Sequence, residues 1–442
     1  MKHPATTWVN WARDQRCAPA SFARPPDEAA VSAYVRQAAD LGIHVRAVGS
    51  GHSFTDVACT DGVMLDLSAM QRILDIDQRT GRVTVEGGIT LHTLGPLLAE
   101  QGLGLVNQGD IDRQSITGAI STATHGTGAL LPNLSAQIVG MRLVTATGQV
   151  RELTEAADRE ALLAARVSMG ALGVITAVTI QAVPLYTLHR RDETVPLPEV
   201  LDRLDEITDT SDHFEFFVFP YADRAITRST RRSTAEPHPA PAWRRDLRGR
   251  LDDGALGALC RIGRRFPSQA PRLNRLITVA ASNGDEEDRA YRIYPSRREV
   301  RFTEMEYAID RVHARSAIEH VIALVRSRRL PILFPLEVRF VASDDAFLSP
   351  SHRRETCYIA VHQYSGMEFE SYLRGVEAIM DSFGGRPHWG KRHYQTAATL
   401  RPRYPAWDQF QHVRAQFDPH GVFANDYTLR VIGPTVDGRT PA

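Results

Sequence analysis

Gly49-Ser50-Gly51-His52-Ser53-Phe54-Thr55-Asp56 is the stretch from which the rest of this chain is read. It follows His44-Val45-Arg46-Ala47-Val48, a short apolar run that predicts a strand. A strand that ends in small residues lets backbone N–H groups approach an anion closely, because no Cβ stands in the way. Such a turn suits a pyrophosphate, with Gly49, Ser50, Gly51 and Ser53 as its contacts. His52 would then stand beside the bound group. The plain alternative is a tight turn carrying a surface histidine, so the remainder of the chain has to decide.

Two more segments share this character. Gly118-Ala119-Ile120-Ser121-Thr122-Ala123-Thr124-His125-Gly126-Thr127-Gly128 is crowded with hydroxyls and small residues and carries another histidine. It offers N–H and O–H donors to phosphates without needing lysine. Gly118, Ser121, Thr124, His125 and Gly126 are its candidate contacts. Ser168-Met169-Gly170-Ala171-Leu172-Gly173-Val174-Ile175 runs into a strand and adds Gly173, Val174 and Ile175. Neither GxGxxG nor GxxxxGK[ST] occurs in the right context, so the Rossmann and P-loop readings fail. Three small-residue turns beside strands in one region point to a large cofactor that carries phosphates.

Composition narrows the field. A chain of 442 residues, 43% hydrophobic and 24% charged, is long enough for two or three domains around ordinary cores. Lys+Arg and Asp+Glu both number 52, so no basic excess points to nucleic acid. No apolar leader or long apolar run is present, which excludes a transmembrane segment and leads us to expect a cytoplasmic protein, with peripheral contact at the inner membrane face left open. Cys17, Cys59, Cys260 and Cys357 are far apart and form no CxxC pair, so we expect neither a metal site nor a disulfide framework. Of the 52 basic residues only Lys2 and Lys391 are lysine. In so arginine-rich a chain an interior lysine invites a chemical reason, since lysine is a compact charge that can lose its proton and arginine cannot.

Along the chain, Asp27 predicts an N-cap, and Val31, Tyr34, Val35, Ala38 and Leu41 then recur at helical spacing. Short strands are expected at 45–48, 63–67, 73–76, 83–86, 139–145 and 174–180, with a helix at 91–101. Composition shifts after Pro184. Strands are expected at 214–219, 301–309, 336–342 and 357–364, and helices at 314–328 and 369–383. The Arg- and Pro-rich stretch 228–275 reads as a long excursion with one or two helices. The domain boundaries follow as 1–185, a second domain at 186–395, and a return to the first at 396–442.

The second domain carries its own polar pattern. In Leu336-Glu337-Val338-Arg339-Phe340, alternation puts Glu337 and Arg339 on one face of a mostly apolar strand. They are either a structural ion pair or part of a site. His388-Trp389-Gly390-Lys391-Arg392-His393 holds the interior lysine among aromatic and imidazole rings; a solvated basic turn is the alternative there.

Taken together, GSGHSFTD, GAISTATHGTG, GALGVI, LEVRF and HWGKRH resemble the vanillyl-alcohol-oxidase flavoproteins. Within that superfamily the chain is similar to the aldonolactone oxidoreductases, among them L-gulono-1,4-lactone and D-arabinono-1,4-lactone enzymes, and above all to their actinobacterial gulonolactone branch. The resemblance covers 11–427. It implies an α+β fold of two domains: an FAD-binding domain of two α+β subdomains and an α+β cap domain over the flavin. It implies FAD bound covalently through His52, a substrate-binding pair in Glu337 and Arg339, and a catalytic role for Lys391. Asp418-Pro419-His420-Gly421-Val422-Phe423 and Asn425-Asp426-Tyr427 match its closing segment, which adds Asn425 to the cofactor contacts. Gly109 falls where the family has a small residue beside the flavin. Glycine there leaves a gap of about one methyl group through which dioxygen could reach the ring, whereas galactonolactone dehydrogenases carry alanine.

The implied function is FAD-dependent oxidation of a sugar lactone at a secondary alcohol, with dioxygen or another acceptor reoxidising the flavin. Its rivals are an alditol oxidase, which would share the flavin site, and a flavin-binding protein without catalysis. The second rival leaves Glu337, Arg339 and Lys391 without a purpose.

Overall fold

The structure is a computed structural model that describes residues 7–237, 241–281, 283–296 and 299–435. The ends of the expected domains, 1–6 and 436–442, and a few residues of the 228–275 stretch lie outside these. The helix Glu28–Asp40 begins where the Asp27 side chain accepts the Ala30 N–H at 2.8 Å, and it buries Val31, Val35 and Ala38. Leu41 caps it and is exposed. This helix covers a small parallel sheet ordered Ser21–Ala23, Val63–Asp66, Val45–Val48. Beside it lies an antiparallel sheet ordered Val150–Thr154, Ile138–Val144, Val174–Gln181, Arg82–Glu86, Ile73–Asp77. Leu91–Glu100, Ile116–Ser121 and Arg159–Arg166 pack on this sheet. The C-terminal helices Trp407–Phe417 and Asp426–Ile432 join the same core through Phe410, Val413, Tyr427 and Val431.

An eight-stranded antiparallel sheet makes up the second half. Its order is Gly284–Arg289, Thr187–Pro196, Arg224–Ser233, His213–Val218, Leu336–Val341, Thr356–Tyr364, Phe302–Asp310, Arg386–Pro387. Strand alternation divides it sharply. Phe214, Phe216, Met305, Val338, Phe340, Ile359 and Val361 form one core with the helices Ala314–Ser327 and Glu370–Ser382. The residues between them, including Glu215, Glu304, Glu306, Glu337, Arg339 and His362, line the opposite face and are also buried. A buried face of this polarity is tolerated only where its charges are paired.

The structure departs from the sequence expectations in two places. The 228–275 excursion begins as the strand Arg224–Ser233, which with Thr187–Pro196 and Gly284–Arg289 forms the outer part of the large sheet. These three strands escape a hydrophobic pattern search because cross-strand ion pairs replace apolar contacts. Arg228 meets Asp192 at 2.8 Å and Arg190 meets Glu286 at 2.8 Å. Residues 118–121 belong to the helix Ile116–Ser121, capped by Ser115, and not to an open loop.

Candidate functional site

The three small-residue segments meet at one cleft of about 840 Å³. Gly49, Ser50, Gly51, His52 and Ser53 line it, as do Gly118 and Ser121, and Gly173 and Ile175 close the third side. The loops approach so closely that side chains are excluded. A Cβ on Gly49 would lie 2.2 Å from Ser115 Oγ, the hydroxyl that accepts the Gly118 N–H at 3.3 Å. Gly173 has φ +154°, and a Cβ there would stand 2.5 Å from the Val144 carbonyl oxygen.

Arg46 gathers these loops. Its Nη2 donates to the Val57 and Met169 carbonyls, both at 2.6 Å, and its Nη1 to the Phe423 carbonyl at 2.8 Å. Burial pulls its pKa down to about 10, which still leaves a cation at neutral pH. Arg46 lines the cleft, Asp and Glu do not, and its buried Nε has no partner. A cation, backbone N–H groups and no carboxylate make a cradle that fits the diphosphate of a dinucleotide cofactor.

His52 lies in the same cleft, with Trp11 stacked at a ring-centroid distance of 5.6 Å. Burial, then the Lys391 ammonium, push His52 down to about 4, so its imidazole is neutral at pH 7.

The remaining predicted contacts fall elsewhere. Val174 is buried in the core beneath the small sheet. Asn425 caps the last helix, and its Nδ2 donates to the carbonyls of Asp56, Val57 and Cys59 at 3.1, 3.1 and 2.8 Å. It holds the chain that follows the His52 loop. Gly109, Thr124, His125 and Gly126 lie where the 107–110 and 123–128 backbones touch. A Cβ on Gly109 would be 3.0 Å from both the His125 oxygen and Thr124 Cγ2. An added methyl at Gly109 would be tight against the His125 carbonyl and the Thr124 side chain. The ring nitrogens of His125 lie 2.9 Å from Gly126 O and 3.1 Å from Glu306 Oε1.

The second half brings its polar face to the His52 end of this cleft. The Phe54 N–H donates to the Gly390 carbonyl at 2.7 Å, so the 388–391 turn packs on the His52 loop. From there a line of ion pairs crosses the sheet. Lys391 Nζ lies 2.5 Å from Glu304 Oε2, and His362 Nε2 lies 3.4 Å from Glu304 and 4.0 Å from Glu337. Glu337 pairs with Arg339. Arg339 also meets Asp110 at 3.0 Å and Glu215 at 2.8 Å. Burial opposes the charge on Glu304, yet Lys391 and His362 hold it down to about 2. Burial likewise opposes Arg339, and Asp110, Glu337 and Glu215 keep it cationic well above its ordinary range. Lys391 thus reaches Glu337 and Arg339 through Glu304 and His362, without touching either.

His125, Glu306 and His388 form the one candidate metal-binding group among the described residues, with atoms within 4.8 Å of one another. His388 Nδ1 accepts the Gly390 N–H at 3.0 Å, which puts the proton on Nε2.

Sequence reasoning missed Arg46, Asp110, Glu215, Glu304 and Glu306. The segment Thr303-Glu304-Met305-Glu306-Tyr307 carries the same alternation as Leu336–Phe340 and could have been read the same way. Arg46 interrupts an apolar strand, which is also a visible signal. Asp110 and Glu215 carry none, because only the fold brings them to Arg339.

Comparison with known proteins agrees with both halves. Residues 19–154 match the FAD binding domain family, and 178–431 match the family described as D-arabinono-1,4-lactone oxidase. The chain is 61% identical to the L-gulono-1,4-lactone dehydrogenase of Mycobacterium tuberculosis, over 97% of this chain and 99% of that one. It is 34% identical to the L-gulonolactone oxidase of Bos taurus, covering 96% and 97%. The alditol oxidase of a Streptomyces strain is 31% identical, covering 86% and 88%. A solvent-stable cholesterol oxidase shares the fold, with a TM-score of 0.77, 18% identity and 96% of each chain covered. These neighbours accord with a two-domain α+β flavoprotein.

Proposed function

The chain belongs to the D-arabinono-1,4-lactone oxidase family of FAD-dependent oxidoreductases, and from that premise we propose that it oxidises L-gulono-1,4-lactone or a close relative at a secondary alcohol. The observation that carries this reading is the line of buried ion pairs from Lys391 to Arg339, which abuts the His52 end of the cleft. FAD supplies the acceptor for the hydride that leaves the substrate carbon. Gly49, Ser50, Gly51, Ser53, Gly118, Ser121, Gly173 and Ile175 would hold its diphosphate and nucleotide, with Arg46 as the fixed cation.

The protein's task is position and field. Arg339 is a permanent cation fixed from three sides by carboxylates, suited to steady negative charge growing on the substrate oxygen. Glu337 holds Arg339 and accepts a substrate hydroxyl. Lys391, aligned by Glu304, donates to a second hydroxyl. Anaerobic mixing of the yellow enzyme with L-gulono-1,4-lactone should bleach the flavin, while xylitol and sorbitol should not. Bleaching by the open-chain polyols alone would make it an alditol oxidase, and no bleaching at all would make it a flavin carrier.

Two finer statements belong to the same reading. His52 carries FAD covalently, since it lines the cleft and its imidazole is neutral and able to form the bond. In acid-precipitated protein the yellow colour should stay with the pellet; from His52→Ala it should pass to the supernatant. The reoxidant is dioxygen or a separate electron carrier, and reoxidation of the reduced enzyme in air-saturated buffer distinguishes them. No helix among the described residues is long and apolar enough to cross a membrane, and we place the enzyme in the cytoplasm; cell fractionation tests this.

A further inference from the structure

The helices Ala242–Arg265 and Ala270–Ala280 form an excursion whose inner side is ordinary core. Cys260, Ala270 and Leu273 pack with Phe54, Phe302 and Leu333, and Trp11 adjoins the same cluster. Trp11 in turn stacks on His52. The excursion therefore covers the His52 end of the cofactor cleft. Its outer side has a different character.

Residues 261–280 hold five arginines and no Asp or Glu, in a chain whose total charges balance. All five arginines are exposed. Their contacts are with neutral groups. Arg272 donates to Gln269 Oε1 at 3.1 Å and Arg275 to the Tyr221 carbonyl at 3.3 Å, while Arg264 and Arg265 lie over the rings of Tyr364 and Phe266. Such partners leave the positive charge uncompensated. Apolar side chains stand among these cations. In the helix Ala270–Ala280, Ala270, Leu273, Asn274 and Thr278 are buried. Arg272, Arg275, Leu276 and Val279 share the outward face at i, i+3, i+4 and i+7. Val279 is 77% exposed and Leu276 54%, and Ile262 and Phe266 at the end of the preceding helix are 47% and 54% exposed. Large apolar side chains left in water together mark an interaction surface.

We propose that the 261–280 face docks on an anionic phospholipid surface. Arginines attract the headgroups, and the protruding Phe266, Leu276 and Val279 enter the boundary between headgroups and acyl chains. A second copy of the chain fits less well, because a two-fold contact through this face would bring the same five arginines together. Docking keeps the protein peripheral, since no helix among the described residues is long and apolar enough to cross a membrane. It also sets the His52 end of the cleft directly behind the lipid contact.

The test is co-sedimentation of the flavin-loaded full chain with vesicles of phosphatidylcholine, alone or mixed with phosphatidylglycerol. Wild type should pellet with the mixed vesicles at low salt, stay in solution with the neutral ones, and release as salt rises. Arg272→Gln combined with Arg275→Gln should weaken binding about 30-fold. Leu276→Asp combined with Val279→Asp should abolish it. Flavin content should match wild type in both, since all four side chains point outward; should one variant lose flavin, the other decides. A wild type that ignores the mixed vesicles, or binds neutral ones equally, overturns the proposal. Unweakened binding by the flavin-loaded variants also overturns it, by placing the contact on another face. Dimerisation without vesicle binding, read by analytical ultracentrifugation, would give the face to a second copy and overturn it as well. None of these outcomes depends on lactone oxidation.

Discussion

Lys391 is the one interior lysine of the chain, and its ammonium sits 2.5 Å from Glu304 and 5.2 Å above the Phe54 ring. Held this way it is a donor at a fixed point beside the His52 loop. Lys391→Met keeps the length of the side chain and removes the charge. We expect flavin content to remain near wild type while the rate of flavin reduction by lactone falls about 100-fold or more, the scale of one lost electrostatic donor at a reacting oxygen. Normal reduction kinetics in this variant would take the lysine out of the reaction. Glu304→Gln should weaken reduction less, because it loosens the lysine without deleting it.

The elements that build the cleft are short, and much of their order comes from polar side chains that reach backbone. Asn425 is the clearest case. It caps its own helix by accepting the Thr428 N–H at 2.9 Å and offers Nδ2 to three carbonyls of the 56–59 turn. Asn425→Ala should cost about 2–3 kcal/mol, a lost cap plus buried carbonyls without donors. It should also release flavin at lower denaturant, read by flavin fluorescence. A loss under about 0.5 kcal/mol would show that other contacts hold the turn. The same dependence explains what the sequence made legible. Strands such as Val45–Val48 and Leu336–Val341 follow from their apolar runs, and the glycine-rich loops announced a cofactor. The motif marked Asn425 as a cofactor contact, whereas its role as a cap and clamp is visible only in the fold. The outer strands of the large sheet, Thr187–Pro196, Arg224–Ser233 and Gly284–Arg289, were illegible because their stabilising partners are charges on neighbouring strands. Gly109 was legible in its motif, whereas its crowding by the His125 carbonyl and the Thr124 side chain depends on how the 124–125 loop folds against it.

At the scale of the molecule, the polar face of the large sheet is sealed against the cofactor-binding half, and that sets the response to pH. His388 and His393 are buried there, and burial, chiefly, pushes each down to about 3. His393 Nε2 contacts the Tyr427 hydroxyl at 3.1 Å, that hydroxyl donates to the Trp389 carbonyl, and His393 Nδ1 has no partner for a second proton. Between about pH 6.5 and 3 the unfolded chain therefore binds protons that the folded chain refuses, and stability falls as pH falls. Each histidine contributes a slope of about 1.4 kcal/mol per pH unit once its unfolded form is fully protonated. Glu304 adds a second loss below about pH 4.5, since its folded pKa is about 2. Buried carboxyls whose pKa is raised, Asp344, Glu377 and Asp418, oppose them, and Asp344 is the most strongly shifted. Burial raises Asp344 to about 7, against the hydrogen bond it accepts from Ser349 at 2.6 Å. Its folded form takes up a proton that its unfolded form does not, so it stabilises the protein as pH drops from 7 toward 4. Denaturant titrations of the full chain at steps from pH 7.5 to 4.5 should show a net loss on acidification. Asp344→Asn removes the largest opposing contribution and should make that loss steeper by up to about 1.4 kcal/mol per pH unit. Stability that is flat or rises on acidification would mean that the two histidines are protonated within the fold. An unaltered slope in Asp344→Asn would mean that Asp344 is ionised there, with its charge met by groups beyond Ser349.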